Sequence, residues 1–381
     1  MVAPQEKKTP LLRRLTYLVL VAVLSVSAYT ASDVLARRAW TDQGTWIVRL
    51  LKTELLPKES SAQDDPNWES QSILASVLYR SGDRQDARET VKIERLVNSA
   101  LELKPGCDYV MVIDTLPDGS TVASLADRFR LPAVVAFLTA VAGLLVVSAG
   151  RAGARALIGL ALSMWYLASV FLPSAAAGSS PLAGALGAVA VVSILTIGVV
   201  VRRKRYWPVA LGGALGGAVA AWFLGFAALK LWQITGLGSD GALVLSSTVE
   251  GINMGHVFLA SVIIGAAGAV HDVAISVSAA MAELEDYDPD IAPKRLWQSG
   301  LNVGREILGT MVNTLVLAYF GSSLCLLILM AQAQPDIHQL LNDGQVAQEI
   351  AQSLAGTVGL LLTVPITAAA GALAAWWRKK R

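Results

Sequence analysis

The stretch GREILGTMVNTLVLAYFGSS, Gly304 to Ser323, enters an apolar run through Arg305 and Glu306, then carries Thr310 and Asn313 before turning to plain leucine, valine and alanine. Charges and an amide at such positions are costly only if the run lies in a bilayer, so the rest of the chain decides how to read it. Of 381 residues, 54% are hydrophobic and 16% charged, with a mean hydropathy of +0.53. A soluble domain carries about 25% charged residues. The apolar residues come in blocks that suit helices of roughly 20 residues spanning a hydrocarbon core, not in the alternation of an outer-membrane barrel. The chain is therefore expected to be an all-α polytopic membrane bundle of about eight transmembrane helices, with a small extracytoplasmic, β-rich domain.

Eight spans can be drawn, near Leu15–Ala31, Leu131–Ala149, Ala156–Leu172, Leu182–Val201, Val209–Leu231, Gly255–Met281, Val303–Met330 and Leu354–Trp377. Basic residues cluster in alternate connections. Lys7, Lys8, Arg13 and Arg14 precede the first span, Arg151 and Arg155 follow the second, and Arg202 to Arg205 follow the fourth. Lys294 and Arg295 follow the sixth, and RKKR ends the chain. The positive-inside rule then puts both termini in the cytoplasm and residues 33–130 outside. The expected organisation is a cytoplasmic N-terminus and first anchor over 1–32, an exported domain over 33–130, and seven membrane helices over 131–381. The first span reads as an anchor, although SVSAYTAS, from Ser25, also offers small residues for signal processing. Basic clusters that flank spans act as topology signals, so the net charge of +2 does not point to nucleic acid.

Within 33–130, the runs TWIVRLLKTEL, SILASVLYR, ETVKIERL and DYVMVIDT are separated by SGDR, KPG and PDG, which suits a small β-barrel or sandwich. The first two runs also fit short amphipathic helices. The domain holds no catalytic constellation and reads as a spacer or a partner-docking module. Cys107 and Cys325 form neither a CxxC pair nor a metal-ligand spacing and read as two free thiols.

The chemistry concentrates in the sixth and seventh spans. In GAAGAVHDVAISVSAAMAELED, helical spacing sets Gly265, Gly268, Asp272, Ser276, Ala279 and Glu283 on one stripe. The next helix offers Asn302, Glu306, Thr310 and Asn313, with Arg305 beside them. Asp272 lies about nine residues, roughly 13 Å, from the cytoplasmic end of its helix, a depth shared by Thr310 and Asn313. An ionised carboxylate facing lipid there costs several kcal/mol, so it is expected to face the bundle or a water-filled cavity. Two roles compete for the candidate polar site Asp272, Ser276, Asn302, Arg305, Glu306, Thr310 and Asn313. One is an ion or proton pathway; the other is an interhelical clamp, to which Arg305 and Glu306 near the interface are better suited. His271 reads as a hydrogen-bonded structural residue more readily than as a proton shuttle. Glu250, Asn253 and His256 read as interfacial.

Pro365 should kink or break the last span, with Thr363 and Thr367 able to satisfy freed carbonyls. The glycines of ALGGALGGAVAAWFLG, from Ala210, read as helix packing. No HExxH, GxSxG or Walker loop occurs, and no second aspartate lies in a span, so no enzymatic activity, metal or cofactor is expected.

Three ordered segments carry a resemblance: IIGAAGAVHDVAISVSAAMAEL, LWQSGLNVGREILGTMVNTLVLAYFGSSL and EIAQSLAGTVGLLLTVPITA. Together they resemble the YibE/F family of bacterial membrane proteins from about Tyr109 to Ala370. Where the family pattern usually has Met and Asp, this chain has His271 and Glu306, which weakens a shuttle role for the former and keeps the charge of the latter. The resemblance implies an inner-membrane location, with a related membrane protein or a second copy of the chain as partner, and supplies no activity. The leading expectation is a transporter or permease for a small solute or ion. The alternative is a non-transporting membrane scaffold whose exported domain recruits a partner.

Overall fold

The computed structural model describes residues 11–40, 44–56, 70–82, 84–96, 103–115, 121–333 and 336–380. Lys7, Lys8, the turn PDG at 117–119 and Arg381 lie outside them. The chain divides into two compact units, Met1–Gly153 and Ala154–Arg381.

In the first unit, helix α1 (Leu11–Ala39) leads into strands β1 (Thr45–Leu55), β2 (Ser70–Tyr79), β3 (Arg88–Leu96), β4 (Asp108–Thr115) and β5 (Thr121–Arg128), followed by α2 (Leu131–Tyr166). The strands close into a barrel of order β1-β2-β3-β5-β4. With β4 beside β1 this is a Greek-key path, and β5 seals the gap between β3 and β4. All pairings are antiparallel except β3–β5, which is parallel with one registered pair, Ile93↔Ala123. The two runs that also fitted helices are strands β1 and β2. Their inward side chains explain why: Ile73, Ala75, Val77 and Tyr79 alternate into the core beside Leu50, Tyr109 and Met111, the period of two that a barrel wall requires. α1 is longer than the first span drawn from sequence, because Ser32 to Ala39 continue the helix.

A cluster of charges ties α1 to this barrel. Arg37 Nη2 bonds Asp33 and Asp108 at 2.8 Å each, and Arg49 Nε bonds Asp108 at 2.7 Å. Burial pushes the Asp108 carboxyl up, but hydrogen bonds from Arg49 and Arg37 outweigh it and hold the group below its ordinary value. Cys107 and Cys325 are both free.

α2 is not one straight rod. Gly150 has φ 57° and ψ −131°, and a Cβ on Gly153 would lie 2.5 Å from the carbonyl oxygen of Leu145. Eight residues of continuous helix would separate these by about 12 Å, so the chain turns back at Gly150. Gly143 packs against Val21 of α1.

The second unit continues α2 through a π-turn at Leu167–Phe171 and holds α3 (Leu172–Ala176), α4 (Pro181–Val200), α5 (Trp207–Leu231), α6 (Asp240–Thr248), α7 (Met254–Tyr287), α8 (Pro293–Ser322), α9 (Leu324–Ala333), α10 (Ile337–Asn342) and α11 (Gly344–Lys380). Among the described residues six helices are long and apolar enough to cross a membrane, and α8–α9, bent by 65°, forms a possible seventh span. Its centre is α5, α7 and α11. A Cβ on Gly217 of α5 would overlap Thr363 Oγ1 and stand 2.8 Å from Val270 and 2.9 Å from the Gly359 carbonyl. The glycines of α5 therefore serve close packing, the means by which apolar helices associate where no hydrophobic drive separates them from lipid.

Of the kink or break expected at Pro365, the break does not occur. α11 runs unbroken from Gly344 to Lys380. Thr363 Oγ1 donates to the Gly359 carbonyl at 2.8 Å and Thr367 Oγ1 to the Thr363 carbonyl at 2.7 Å. Both hydroxyls are fully buried against α5 and serve their own helix, not the carbonyl that the proline frees.

Candidate functional site

α7 starts where the Asn253 side chain accepts from the backbone N–H of His256, an N-cap that satisfies one of the orphan amides of the first turn. Asn253 is thus a capping residue as well as a polar group at a helix end. From there α7 is the most enclosed of the candidate spans. Val262, Ile263, Ala266, Val270, Val273, Ala274 and Val277 are wholly buried. The remainder is instructive: Gly265, Gly268, Asp272, Ser276, Ala279 and Glu283 are all exposed. The stripe marked by helical spacing is the open flank of an otherwise covered helix. Asp272 lies on that flank, not enclosed by the bundle.

α8 opens with Pro293 in its first turn, where the missing N–H costs nothing. It packs by small residues: a Cβ on Gly300 would meet Met281 Sδ at 2.8 Å, and Gly304 sits against Val364. Farther along, Tyr319 Oη would stand 2.6 Å from a Cβ on Gly265. These two contacts run α7 and α8 antiparallel and set Asp272 level with Thr310, and Ser276 level with Glu306. Asn302, Arg305, Glu306, Thr310 and Asn313 are all exposed. Thr310 Oγ1 donates to its own helix, to the Ile307 carbonyl at 2.9 Å. Among the described residues no ion pair joins Asp272 to Arg305, and no hydrogen bond joins it to Asn313. The structure brings the candidate residues to common depths on exposed flanks of neighbouring helices without locking them to one another.

His271, next to Asp272 in sequence, points elsewhere. It is 5% exposed, and its Nε2 lies 2.5 Å from Ser193 Oγ of α4. Ser193 spends its single hydroxyl proton on the Val189 carbonyl at 2.6 Å, so the imidazole Nε2–H must be the donor to Ser193. This is a structural bond between α4 and α7, remote from the exposed stripe.

At the far end of α7 the run ELED meets two of the basic clusters. Arg203 Nη2 bonds Glu283 at 2.7 Å and its Nε bonds Asp286 at 2.5 Å, while Arg205 also pairs with Asp286. Arg378 bonds both oxygens of Glu285 at 2.9 Å, and Tyr206 Oη donates to the same carboxylate at 2.9 Å. The loop before α5, the end of α7 and the end of α11 are fastened together here. The acidic run ELEDYD was the available sequence signal for this clasp; Ser193 and Tyr319 carried none, because each gains its meaning from a helix distant in sequence. Among the described residues no group of three His, Cys, Asp or Glu stands close enough to hold a metal ion.

The family described as YibE/F-like protein matches residues 137–377. The chain belongs to this family. No match was found among curated proteins or among solved structures.

Proposed function

We propose that this YibE/F-like protein is a bacterial inner-membrane transporter of a small solute or ion, with the open flank of α7 and the adjoining face of α8 as its polar path. One observation carries the reading: a helix buried on its other sides leaves uncovered a stripe of small and ionisable residues, Gly265, Gly268, Asp272, Ser276, Ala279 and Glu283. A carboxylate at that depth is expensive against lipid, and Gly268, with nothing within 4 Å of where its Cβ would stand, leaves room for water or solute beside it. The absence of an Asp272–Arg305 ion pair favours a group free to change charge over a clamp. In this reading both termini are cytoplasmic and the barrel is exported, as the alternation of basic connections supports. The turn at Gly150 splits α2 into two spans, and α8–α9 counts as one bent span, which gives eight.

A scaffold role has one observation in its favour. Asp108 joins Arg37 of α1 to Arg49 of the barrel, so the barrel is fastened to its membrane helix as a partner-recruiting module would be.

The test is ion flux in proteoliposomes that hold the full chain, read with entrapped fluorescent indicators under imposed proton, sodium and potassium gradients. Asp272→Asn should abolish the flux that wild type shows while leaving the thermal transition in place. Flux that persists in Asp272→Asn removes that residue from the path, and no flux with any gradient favours the scaffold.

A further inference from the structure

The bend between α8 and α9 opens a cleft against the first turns of α11. It encloses about 250 Å³ and is lined by Tyr319, Phe320, Leu326, Leu327, Glu349 and Leu354 among others. That is just below the range of small-molecule pockets, about 300–1,000 Å³, and limits a ligand to one ring and a short chain.

One polar group in this apolar cleft lacks a counter-charge. Glu349 makes no ion pair among the described residues. Tyr319 lends the cleft its ring and turns its hydroxyl inward, against Gly265 of α7 and beside Gln352. Between Arg305 and Arg378 the sequence has no Lys or Arg. Asp336 and Asp343, in the segment between α9 and α11, add further negative charge. A half-buried carboxylate among leucines is costly unless it meets a positive group. Two aromatic rings at the same place add attraction for a cation over their faces.

We propose that this cleft binds a small apolar ammonium ion, its charge held by Glu349 and its hydrocarbon by Phe320, Leu326, Leu327 and the Tyr319 ring. The site differs from the Asp272 flank, and binding here does not depend on the transport reading. The proposal commits to a ligand with one positive charge; a lipid acyl chain would satisfy the leucines and leave Glu349 unserved.

The test uses the full chain in phosphatidylcholine nanodiscs, titrated calorimetrically with 4-phenylbutylammonium and with its neutral counterpart 4-phenylbutan-1-ol, with empty nanodiscs as the blank. The ammonium should bind at least tenfold more tightly than the alcohol. Glu349→Gln should erase that ratio while the alcohol still binds. Leu327→Trp, which fills the cleft and keeps the carboxylate, should abolish binding of both. Equal affinity for ammonium and alcohol in wild type overturns the proposal, as does a ratio unchanged in Glu349→Gln. Ammonium binding that survives Leu327→Trp overturns it too, because the charge is then met elsewhere.

Discussion

Thr367 Oγ1 fills the space into which any side chain at Gly213 would grow. Thr363 stands in the same relation to Gly217 one turn along. The two threonines donate their hydroxyls to their own backbone, so the oxygens that lie against the bare α5 glycines keep a hydrogen-bond partner as α5 and α11 approach.

Gly217→Ala should therefore lower stability by about 1–3 kcal/mol through overpacking, because the new methyl meets the Gly359 backbone as well as Thr363. Gly212→Ala on the same helix, with nothing within 4 Å of its Cβ, is the control and should be neutral. Intrinsic-tryptophan melting of the purified full chain reads both. Equal melting temperatures for the two variants would refute the packing account.

Asp108 gives the barrel a pH dependence of fixed sign. Its folded pKa lies below its unfolded one, so its contribution is fully present above the unfolded value, about 3.9, and is lost as pH falls through the folded value. Asp108→Asn should cost about 2 kcal/mol at pH 7, a partly exposed version of breaking a buried pair. The gap between variant and wild type should narrow as pH falls below the unfolded value, about 3.9, and go on narrowing through the folded one. A gap that stays constant from pH 7 to pH 3 would show that the charge is not what matters.

For Asp272 and Arg305 the expected outcome is an absence of coupling. With no ion pair between them, Asp272→Asn should leave the melting temperature of the full chain nearly unchanged, and Arg305→Gln added to it should rescue nothing. A single variant strongly destabilised and restored by the double would mean that the two residues clamp α7 to α8.

The bond from His271 to Ser193 should be worth more when half removed than when replaced whole. Ser193→Ala strands a buried N–H and should cost about 1–3 kcal/mol. Adding His271→Met, which replaces the imidazole by an apolar chain of similar reach, should recover most of that loss. The check is a double-mutant cycle on thermal stability, and additivity would sink it.

Orientation is tested with single cysteines placed in a chain whose Cys107 and Cys325 are serine. Cysteines at Ser179 and Asp240 should react with an impermeant thiol reagent in intact cells, and one at Lys294 should not. The reverse pattern would invert the topology.

What could be read from the sequence followed from local period. Strands β1 to β4 show themselves by β-branched and aromatic residues between turn signals, whereas β5, TVASLADR, is short in both and does not. The α7 stripe is visible because a 3.6-residue period needs no knowledge of neighbours. Which way that stripe faces is invisible, because lipid, water and protein differ only in what lies beyond the helix. Whether Pro365 breaks its helix is invisible for a related reason: that depends on what packs around it, and here the run from Gly344 to Lys380 continues against the α5 glycines. The Ser193–His271 pair joins residues 78 apart, a separation that no local pattern encodes. The bend at Ser323 did leave a trace, GSS inside an apolar run, and the cleft beside Glu349 follows from it.

The barrel's closure is unevenly distributed. Among the described residues β5 is joined to β4 by a ladder running from Tyr109↔Arg128 to Thr115↔Thr121, but to β3 by the single pair Ile93↔Ala123. β5 also runs directly into α2, and Phe129 at that junction packs edge-on against Trp40, at the junction of α1 and β1, with ring centroids 6.0 Å apart. Any displacement of α2 along its axis is therefore delivered to the strand with one strong flank and one weak one. Among the described residues the barrel is thus most lightly closed between β3 and β5, while β1, β4 and β5 form a continuous sheet that leads into both helices.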